Sequence, residues 1–339
     1  MTIGFGIVGY GHMAEGHHRI IDSIPGCKLV AVCDSLEARR RVAGEKGART
    51  YEAYGAFLKD SGVDVVVVVT PSNMHCRFAV AAARSGKHVL TDKPMAMTEK
   101  EARRMVEAAR KAGVLLSVFH NRRYDGDVQA ALKVLRSGKL GRVLAIERRV
   151  NTWGSARGFG TPEFRQDWRI EKAWGGGALY DFGPHLVDQV LLMGEGRVES
   201  VFASVQQGVH AKDCDDYVCG LMRFGNGLNA LLEINFMTRS GLPAVNIVAE
   251  KATLQSDPRG HGALLIHWAD GKRITRVKPP VTAGEREIYT SFVGAMRGKK
   301  ELVIAPEHAL RVMSVMDALR ESSRTGRSVR VEAGKVRKS

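Results

Sequence analysis

Residues 3–14 have the sequence Ile-Gly-Phe-Gly-Ile-Val-Gly-Tyr-Gly-His-Met-Ala, an apolar run followed at once by closely spaced glycines. The spacing matches the pattern G-x-G-x-x-G/A, with alanine in the third small position. Gly9 permits a tight turn, Gly11 lets a pyrophosphate approach the backbone, and Ala14 keeps the next helix close to the strand. The free N–H groups at the start of that helix would hold the phosphates. The stretch therefore predicts a strand, a turn and a helix that bind a dinucleotide.

The first 120 residues alternate between two kinds of segment. Short β-branched apolar runs are typical of strands, and segments with helical periodicity lie between them. The predicted strands are 3–8, 28–33, 63–69, 88–91 and 114–119, and the predicted helices are 12–23, 37–46, 74–85 and 98–112. Residues 1–120 are therefore predicted to form an α/β domain of the Rossmann type, with a doubly wound parallel sheet.

Asp34 indicates which dinucleotide is bound. It ends the second predicted strand, 23 residues after Gly11, close to the usual spacing of about 20. Its carboxylate would accept hydrogen bonds from the adenosine ribose and repel a 2′-phosphate, which favours NAD. Arg39 and Arg40 follow closely and could accommodate that phosphate, so NADP is the alternative. Asp34 could also be a surface residue that caps the helix beginning near Ser35.

The pattern changes from residue 121 onward. One amphipathic helix, 127–137, is followed by segments of two-residue alternation, 143–150, 198–205, 217–224, 228–236 and 245–249. Gly225-Asn226-Gly227 predicts a tight hairpin turn, and two helices, 285–297 and 306–325, follow these strands. Residues 121–339 are therefore predicted to form an α+β domain with a large, mostly antiparallel sheet for substrate binding and oligomerisation.

Composition excludes several other classes of protein. The 339 residues include 51 Lys and Arg against 36 Asp and Glu, a formal net charge of +15. Apart from a small cluster at 335–338 the basic residues are spread out, so we expect a solvated surface and no nucleic-acid partner. The five cysteines contain no C-x-x-C pair, and no disulfide framework or metal site is expected. No apolar run has the length of a membrane span, so we expect a cytoplasmic protein without a membrane partner.

Two further motifs follow predicted strands of the first domain, where open α/β sheets bind ligands. They are Thr70-Pro71-Ser72-Asn73-Met74-His75 and Thr91-Asp92-Lys93-Pro94. The proline restricts the backbone of Lys93. On residue type alone, however, a lysine is more often an ordinary surface residue.

The second domain contributes the stretch Gly-Gly-Gly-Ala-Leu-Tyr-Asp-Phe-Gly-Pro-His-Leu-Val-Asp at 175–188. Asp181 and His185 are four residues apart and would share one face of a helix. Pro184 predicts either a kinked helix or a helix that begins there. Taken alone, His185 is more often a structural histidine than a catalytic one.

In combination, these motifs resemble the glucose-fructose oxidoreductase and inositol dehydrogenase family of NAD(P)-dependent sugar and polyol oxidoreductases. The resemblance covers nearly the whole chain, and residues 121–127, 179–189 and 215–217 are most similar to the scyllo-inositol dehydrogenase branch. Asp92 is a departure, because family members usually carry glutamate before the lysine. Asp34 is another, since NADP-using members of that branch tend to lack an acid there.

The resemblance implies a catalytic group of Lys93, Asp181 and His185. His185 would take the hydroxyl proton of a secondary alcohol, Lys93 would stabilise the developing alkoxide, and Asp181 would orient the histidine or bind a neighbouring hydroxyl. Together with the glycine turn, it implies a cofactor site of Gly9, Tyr10, Gly11, His12, Met13, Asp34, Thr70, Pro71, Asn73, His75, Asp92, Lys93, Pro94 and Asn121. Arg123, Trp168 and Arg169 would border the substrate cleft beside the catalytic group, with Asp188 as a further candidate. Trp168 and Arg169 could instead be an aromatic anchor and a solvated arginine.

Three functions are compatible with these residues. The first is a dehydrogenase or reductase that acts on a sugar, cyclic polyol or sugar derivative. The second is an NAD-dependent glycosidase or dehydratase, which reduces its cofactor only transiently. The third is a non-catalytic nucleotide-sensing regulator, which would not need Lys93, Asp181 and His185. We also expect a homodimer or homotetramer through the second sheet, because an exposed apolar face usually finds a partner.

Overall fold

The computed structural model describes residues 2–154, 163–260 and 262–331. The chain divides into two compact units. The first comprises Met1–Phe119, Ala156–Gly176 and Arg286–Met313, and the second comprises His120–Ser155, Gly177–Glu285 and Ser314–Ser339. A single boundary at residue 120, as the sequence predicts, therefore omits two later segments that return to the first unit. The basic cluster at 335–338 lies outside the described residues.

The first unit contains a six-stranded parallel sheet, which confirms the predicted Rossmann fold. Its strands are β1 (Ile3–Val8), β2 (Cys27–Cys33), β3 (Arg49–Tyr51), β4 (Val65–Val68), β5 (His88–Thr91) and β6 (Leu116–Val118), in the order β3-β2-β1-β4-β5-β6. The helices between them are α1 (His12–Asp22), α2 (Glu37–Glu45), α3 (Tyr54–Leu58), α4 (His75–Arg84) and α5 (Glu99–Ala112). The strand β3 and the helix α3 are absent from the sequence prediction, because three and five residues are too few for a periodic pattern.

Local chemistry explains the limits of these elements. All four residues of β4 are fully buried, as expected of a strand covered on both faces. The Thr98 side chain accepts a hydrogen bond from the backbone N–H of Glu101 and begins α5. Gly113 ends the same helix with a left-handed φ of 64°.

The second unit contains a nine-stranded sheet. Its strands are β7 (Val143–Asn151), β8 (Val198–Gln206), β9 (Tyr217–Phe224), β10 (Asn229–Asn235), β11 (Val245–Ala249), β12 (Ala252–Ser256), β13 (Leu264–Trp268), β14 (Ile274–Val277) and β15 (Val329–Arg330), in the order β14-β13-β12-β11-β7-β10-β9-β8-β15. Neighbouring strands are antiparallel except β7 and β10, which are parallel. The predicted mostly antiparallel sheet is confirmed, and Gly227 (φ 84°) lies in the predicted hairpin turn between β9 and β10.

Helices cover one face of this sheet. They are α6 (Gly126–Arg136) and α7 (Ala178–Met193), which contact its strands. Two further helices follow β14 along the chain: α8 (Arg286–Met296), which belongs to the first unit, and α9 (Pro306–Thr325). The helix α9 packs close to β9, because a Cβ atom added to Gly220 would lie 2.7 Å from the Leu319 side chain. Pro184 lies inside α7, which begins at Ala178, so the helix does not start at the proline. Among the described residues, none of the helices combines the length and apolar character needed to cross a lipid bilayer.

Candidate active site

The glycine turn after β1 has the geometry that the sequence predicts. Gly9 has a φ of 84°, and a Cβ atom there would lie 2.8 Å from the backbone oxygen of Val69 and 2.9 Å from the backbone nitrogen of Thr70. Only glycine fits such a position. The turn leads to Gly11 at the N-terminus of α1, where backbone N–H groups are available to an anion.

A cavity of about 310 Å³ lies at this turn, within the first unit. Seven of the predicted cofactor residues line it: Gly9, Gly11, His12, Met13, Asp34, Thr70 and Pro71. The glycine turn, the helix N-terminus and an acidic residue at the end of β2 are the parts that a dinucleotide requires. The residues present therefore fit NAD.

Asp34 accepts a hydrogen bond from the backbone of the glycine turn and also lines the cavity. Its Oδ2 accepts a hydrogen bond from the backbone N–H of Tyr10 at 2.7 Å, and its Oδ1 accepts one from the N–H of Leu36 at 2.9 Å. A carboxylate has about four acceptor positions, so both oxygens can still accept from ribose hydroxyls. Asp34 thus holds the backbone before α2 while it lines the cavity, although α2 has no side-chain cap at its N-terminus.

The two neighbouring arginines are held by protein groups. The Arg39 Nε donates to the backbone oxygen of Tyr10 at 2.7 Å, and its Nη2 lies 2.8 Å from Glu15 Oε1. Arg40 donates to the backbone oxygen of Asp34 at 2.9 Å and to Glu52 Oε2 at 3.0 Å. The hydrogen bond from Arg39 lowers the pKa of Glu15. Both guanidinium groups are therefore already paired near the site of a 2′-phosphate.

Three of the predicted cofactor residues do not line the cavity, and their side chains contact other groups of the protein. The Tyr10 ring is fully buried and its hydroxyl contacts His18 Nδ1 at 2.7 Å; burial raises the pKa of this tyrosine to about 12. The Asn73 Nδ2 donates to the backbone oxygen of Ala173 at 2.8 Å. His75 is buried, with ring nitrogens 2.7 Å and 2.8 Å from the backbone oxygens of Pro94 and Thr70. Burial lowers the pKa of His75, although both carbonyl contacts oppose that shift.

The motif with Lys93 follows β5 as predicted. Asp92 is buried, and its Oδ1 accepts a hydrogen bond from the backbone N–H of Lys93 at 2.7 Å. Burial acts to raise the pKa of Asp92, but the neighbouring His17, Lys93 and His75 outweigh it and lower this pKa. The peptide bond between Lys93 and Pro94 is cis. Asp92, Lys93 and Pro94 lie at the carboxyl edge of the sheet but outside the lining of the 310 Å³ cavity.

Trp168 and Arg169, predicted to border the substrate cleft, line the nucleotide cavity together with Phe164. The Arg169 guanidinium lies 4.5 Å from the centre of the Trp168 ring, in a cation–π contact. They come from residues 163–176, which belong to the first unit. Sequence position gave no sign of this return, because the segment lies more than a hundred residues after the glycine turn.

In the second unit, α7 carries Asp181 and His185 one turn apart, and His185 is buried. The centre of the Phe182 ring lies 6.5 Å from that of His185, and the Arg122 guanidinium lies 5.1 Å from the Phe182 ring centre. The side chain of Arg122 is 44% exposed. Arg122 is thus a residue near this face of α7 that the sequence analysis missed.

Arg123 occupies a different position from its neighbour. It is buried and bidentate to Asp188, with Nε 3.1 Å from Oδ2 and Nη2 2.6 Å from Oδ1. The Gln189 side chain donates to the backbone oxygen of Arg122 at 2.8 Å. Arg123 and Asp188, both considered for substrate contacts, therefore anchor α7. Asn121, a predicted cofactor residue, donates to Glu285 Oε2 at 3.0 Å.

Asp215 caps the N-terminus of α7. Its Oδ2 accepts a hydrogen bond from the Leu179 N–H at 2.6 Å, and its backbone oxygen accepts one from the Ala178 N–H at 2.8 Å. Burial raises the pKa of Asp215 to about 6, despite the hydrogen bond from Leu179. Within residues 2–154, 163–260 and 262–331, no cluster of three or more His, Cys, Asp or Glu could hold a metal ion.

Comparison with known proteins defines the class. Models of the GFO/IDH/MocA family match residues 3–120, as an oxidoreductase family with an NAD-binding Rossmann fold, and residues 128–255, as its C-terminal domain. The chain is thus an NAD(P)-dependent oxidoreductase. It belongs to the GFO/IDH/MocA family, as its motifs predict.

Similar proteins cover nearly the full length of the chain. The scyllo-inositol 2-dehydrogenase (NADP(+)) IolW of Bacillus subtilis is 26% identical, over 98% of this chain and 96% of its own. An NAD-binding protein from Listeria innocua has a TM-score of 0.87 and 27% identity, over 97% of each chain. The WlbA dehydrogenase from Bordetella pertussis, solved with NADH and UDP-GlcNAcA, has a TM-score of 0.83 and 26% identity, over 98% of this chain and 99% of its own.

Proposed function

We propose that this protein transfers a hydride between NAD and a secondary alcohol of a sugar, a cyclic polyol or a sugar derivative. The observation that carries the proposal is the placement of Asp34 and Lys93 at the carboxyl edge of one parallel sheet, directly after β2 and β5. This edge is where open α/β sheets bind their ligands. In an oxidoreductase, a lysine there is suited to contact the reacting oxygen of a substrate.

Three side chains of this protein would act on the substrate. NAD supplies the hydride acceptor when it is bound. Lys93 donates a hydrogen bond to the carbinol oxygen and stabilises its developing negative charge. His185 accepts the hydroxyl proton, because an imidazole titrates near neutral pH. Asp181, one turn before it on α7, orients the imidazole or binds a neighbouring hydroxyl.

We infer that NAD is preferred over NADP. Asp34 lines the nucleotide cavity, and its negative charge would repel a 2′-phosphate. Arg39 and Arg40 would have to give up their contacts with Glu15 and Glu52 to bind that phosphate. Trp168 and Arg169 are proposed as cofactor contacts rather than substrate contacts, since they line the same cavity.

Similar proteins support a cyclic polyol or a sugar derivative as the substrate. One is named for scyllo-inositol, and another was solved with UDP-GlcNAcA. The exposed guanidinium of Arg122 and the net charge of +15 favour an anionic sugar by electrostatic attraction. Uronates are therefore candidates alongside inositols.

A substrate panel tests this function. Inositols, aldoses, uronates, glycosides and other polyols are incubated with NAD and with NADP. NADH or NADPH formation is followed for wild type, Lys93→Ala, His185→Ala and the control Lys100→Ala. Lys100 is exposed, so this variant keeps wild-type activity. We expect NADH from at least one class of alcohol, with losses of at least about a hundredfold in Lys93→Ala and His185→Ala. Full activity in both would contradict the roles, and cleavage of a glycoside or loss of water without NADH would favour a transient oxidation.

We also propose that the second sheet forms a homodimer or homotetramer. Its strands place Phe202, Leu221 and Leu231 side by side, because Phe202 pairs with Leu221 and Leu221 pairs with Leu231. Phe202 is 52% exposed and Leu221 is 47% exposed. Exposed apolar side chains that adjoin one another are typical of a protein interface.

A further inference from the structure

His17 is a buried histidine of α1 that the proposed chemistry does not use. It is 1% exposed, and its ring packs against Phe119 with 4.3 Å between ring centres. Tyr289 of α8, fully buried, packs against both rings at 5.9 Å and 5.8 Å. Polar atoms in such surroundings are costly unless they have partners.

The two ring nitrogens of His17 face different groups. Nδ1 lies 2.6 Å from the Tyr289 hydroxyl, a short hydrogen bond. Nε2 points toward Asp92 Oδ2 at 3.9 Å, and it has no hydrogen-bond partner in the described part of the chain. A lone pair on Nε2 would be repelled by that carboxylate. The proton therefore belongs on Nε2, with Tyr289 donating to Nδ1.

Asp92 links this histidine to Lys93. Its Oδ1 accepts the backbone N–H of Lys93 at 2.7 Å, while its own N–H donates to the backbone oxygen of Val68 at 2.8 Å. A rotation of the carboxylate would move both its oxygens, so an electrostatic hold on Oδ2 also fixes Oδ1. The lysine backbone is thus connected through Asp92 and His17 to Tyr289.

We propose that His17 and Tyr289 are positioning residues that hold Lys93 in place through Asp92. This inference rests on the proposed function, in which Lys93 contacts the reacting oxygen. A displacement of about 1 Å at a reacting group can slow an enzyme about a hundredfold. The positive dipole of the Nε2–H bond also compensates the buried charge of Asp92.

The distance of 3.9 Å adds a specific expectation. A hydrogen bond between Nε2 and Oδ2 would require an approach about 1 Å closer. Aspartate is one methylene shorter than glutamate, so Asp92→Glu would bring the carboxylate toward His17. We expect replacement of His17 to lower kcat by a larger factor in an Asp92→Glu background than in wild type.

The experiment compares kcat and the Kd for NAD across matched variants. His17→Ala and Tyr289→Phe should lower kcat about tenfold without changing the Kd for NAD. His17→Gln, whose amide can still donate toward Asp92, should recover part of the loss. In an Asp92→Asn background, His17→Ala should lower kcat by less than about twofold, because the two residues act through one contact. Ile21→Ala, on the same buried face of α1, controls for a loss of packing and should leave kcat unchanged.

Several results would overturn the inference. The first is that His17→Ala and Asp92→Asn lower kcat independently, so that their effects multiply in the double variant. The second is that Ile21→Ala lowers kcat as much as His17→Ala does. The third is that Tyr289→Phe leaves kcat unchanged; this variant removes only one hydroxyl and tests the contact even where His17→Ala does not fold. Nitrogen NMR of wild type provides a readout without activity, and an unprotonated Nε2 on His17 would contradict the contact. If Lys93→Ala retains full activity, the proposed function fails. If Lys93→Ala loses activity while His17→Ala and Tyr289→Phe keep it, the positioning role is wrong and the proposed function stands.

Discussion

Asp34 illustrates how one side chain can support the fold while it lines the candidate nucleotide cavity. Its two oxygens accept hydrogen bonds from the N–H groups of Tyr10 and Leu36. Sequence spacing predicts the residue and its position at the end of β2. The two backbone hydrogen bonds depend on how the loops after β1 and β2 meet, which spacing does not contain.

Asp34→Asn should relax the choice of cofactor. The amide oxygen can still accept one N–H group, but the charge that repels a 2′-phosphate is lost. We expect the ratio of kcat/KM for NADP to that for NAD to rise at least about tenfold, since one charge contact contributes roughly 1.4 kcal/mol or more. Asp270→Asn, at an exposed turn distant in sequence, is the control and should leave the ratio unchanged. An unaltered ratio in Asp34→Asn would contradict this role.

Gly9→Ala should lower the free energy of unfolding far more than Gly113→Ala, a change at another glycine with positive φ. A Cβ at Gly9 meets backbone atoms of Val69 and Thr70 below 3 Å, whereas a Cβ at Gly113 meets nothing within 4 Å. Gly113→Ala should therefore cost only about 1 kcal/mol for its positive φ, and Gly9→Ala at least about 2 kcal/mol more. Thermal or urea unfolding of both variants measures the difference. Equal losses would show that the close approach at Gly9 is relieved without cost.

At the scale of elements, α7 shows what a sequence pattern can and cannot decide. Its four-residue spacing predicts that Asp181 and His185 share one face of a helix, and both residues lie on α7, four positions apart. The pattern does not distinguish Arg122 from Arg123, because adjacent residues of identical type differ only in the direction their side chains take. The structure separates them, with Arg123 buried against Asp188 and Arg122 exposed beside Phe182. Pro184 alone is also compatible with a helix that begins there. The hydrogen bonds that the first N–H groups of α7 donate to Asp215 mark its actual N-terminus.

The cap of α7 should make stability depend on pH. The pKa of Asp215 is raised from 3.8 to about 6, so the folded state favours the protonated form. The resulting stability is fully present below the unfolded pKa and is lost as the pH rises through the folded one. Asp215→Asn does not ionise. The free energy of unfolding of wild type, relative to this variant, should therefore fall by about 2 kcal/mol between pH 4 and pH 7. Urea unfolding measures this difference. A difference in the free energy of unfolding between wild type and Asp215→Asn that stays constant from pH 4 to pH 7 would contradict the raised pKa.

At the scale of the whole molecule, the two sheet types follow from the periodicity of their strands. The all-apolar β4 predicts a parallel sheet with both faces covered, and the two-residue alternation of β9 and β10 predicts an antiparallel sheet with one open face. The return of the segment around Trp168 and Arg169 to the nucleotide cavity could not be predicted. Such a return is set by tertiary packing, and no local pattern records it.

The open face of the second sheet should determine the oligomeric state. Leu221→Glu places a charge among Phe202 and Leu231, and a buried unpaired charge opposes association. We expect light scattering to show a dimer or tetramer for wild type and a smaller species for Leu221→Glu. Val281→Glu introduces the same side chain at a fully exposed apolar position outside the sheet and should leave the assembly unchanged. A monomeric wild type at micromolar concentration would contradict the interface.

Transfer of deuterium from a labelled alcohol to NAD tests the central claim most directly. A substrate identified in the panel is deuterated at the carbinol carbon, and the reduced cofactor is analysed by mass spectrometry after a single turnover with wild type and Lys93→Ala. We predict that wild type delivers the label to the nicotinamide and that Lys93→Ala does so at least about a hundredfold more slowly. Label that stays on carbon or passes to water, or transfer that is equally fast without Lys93, would contradict the account.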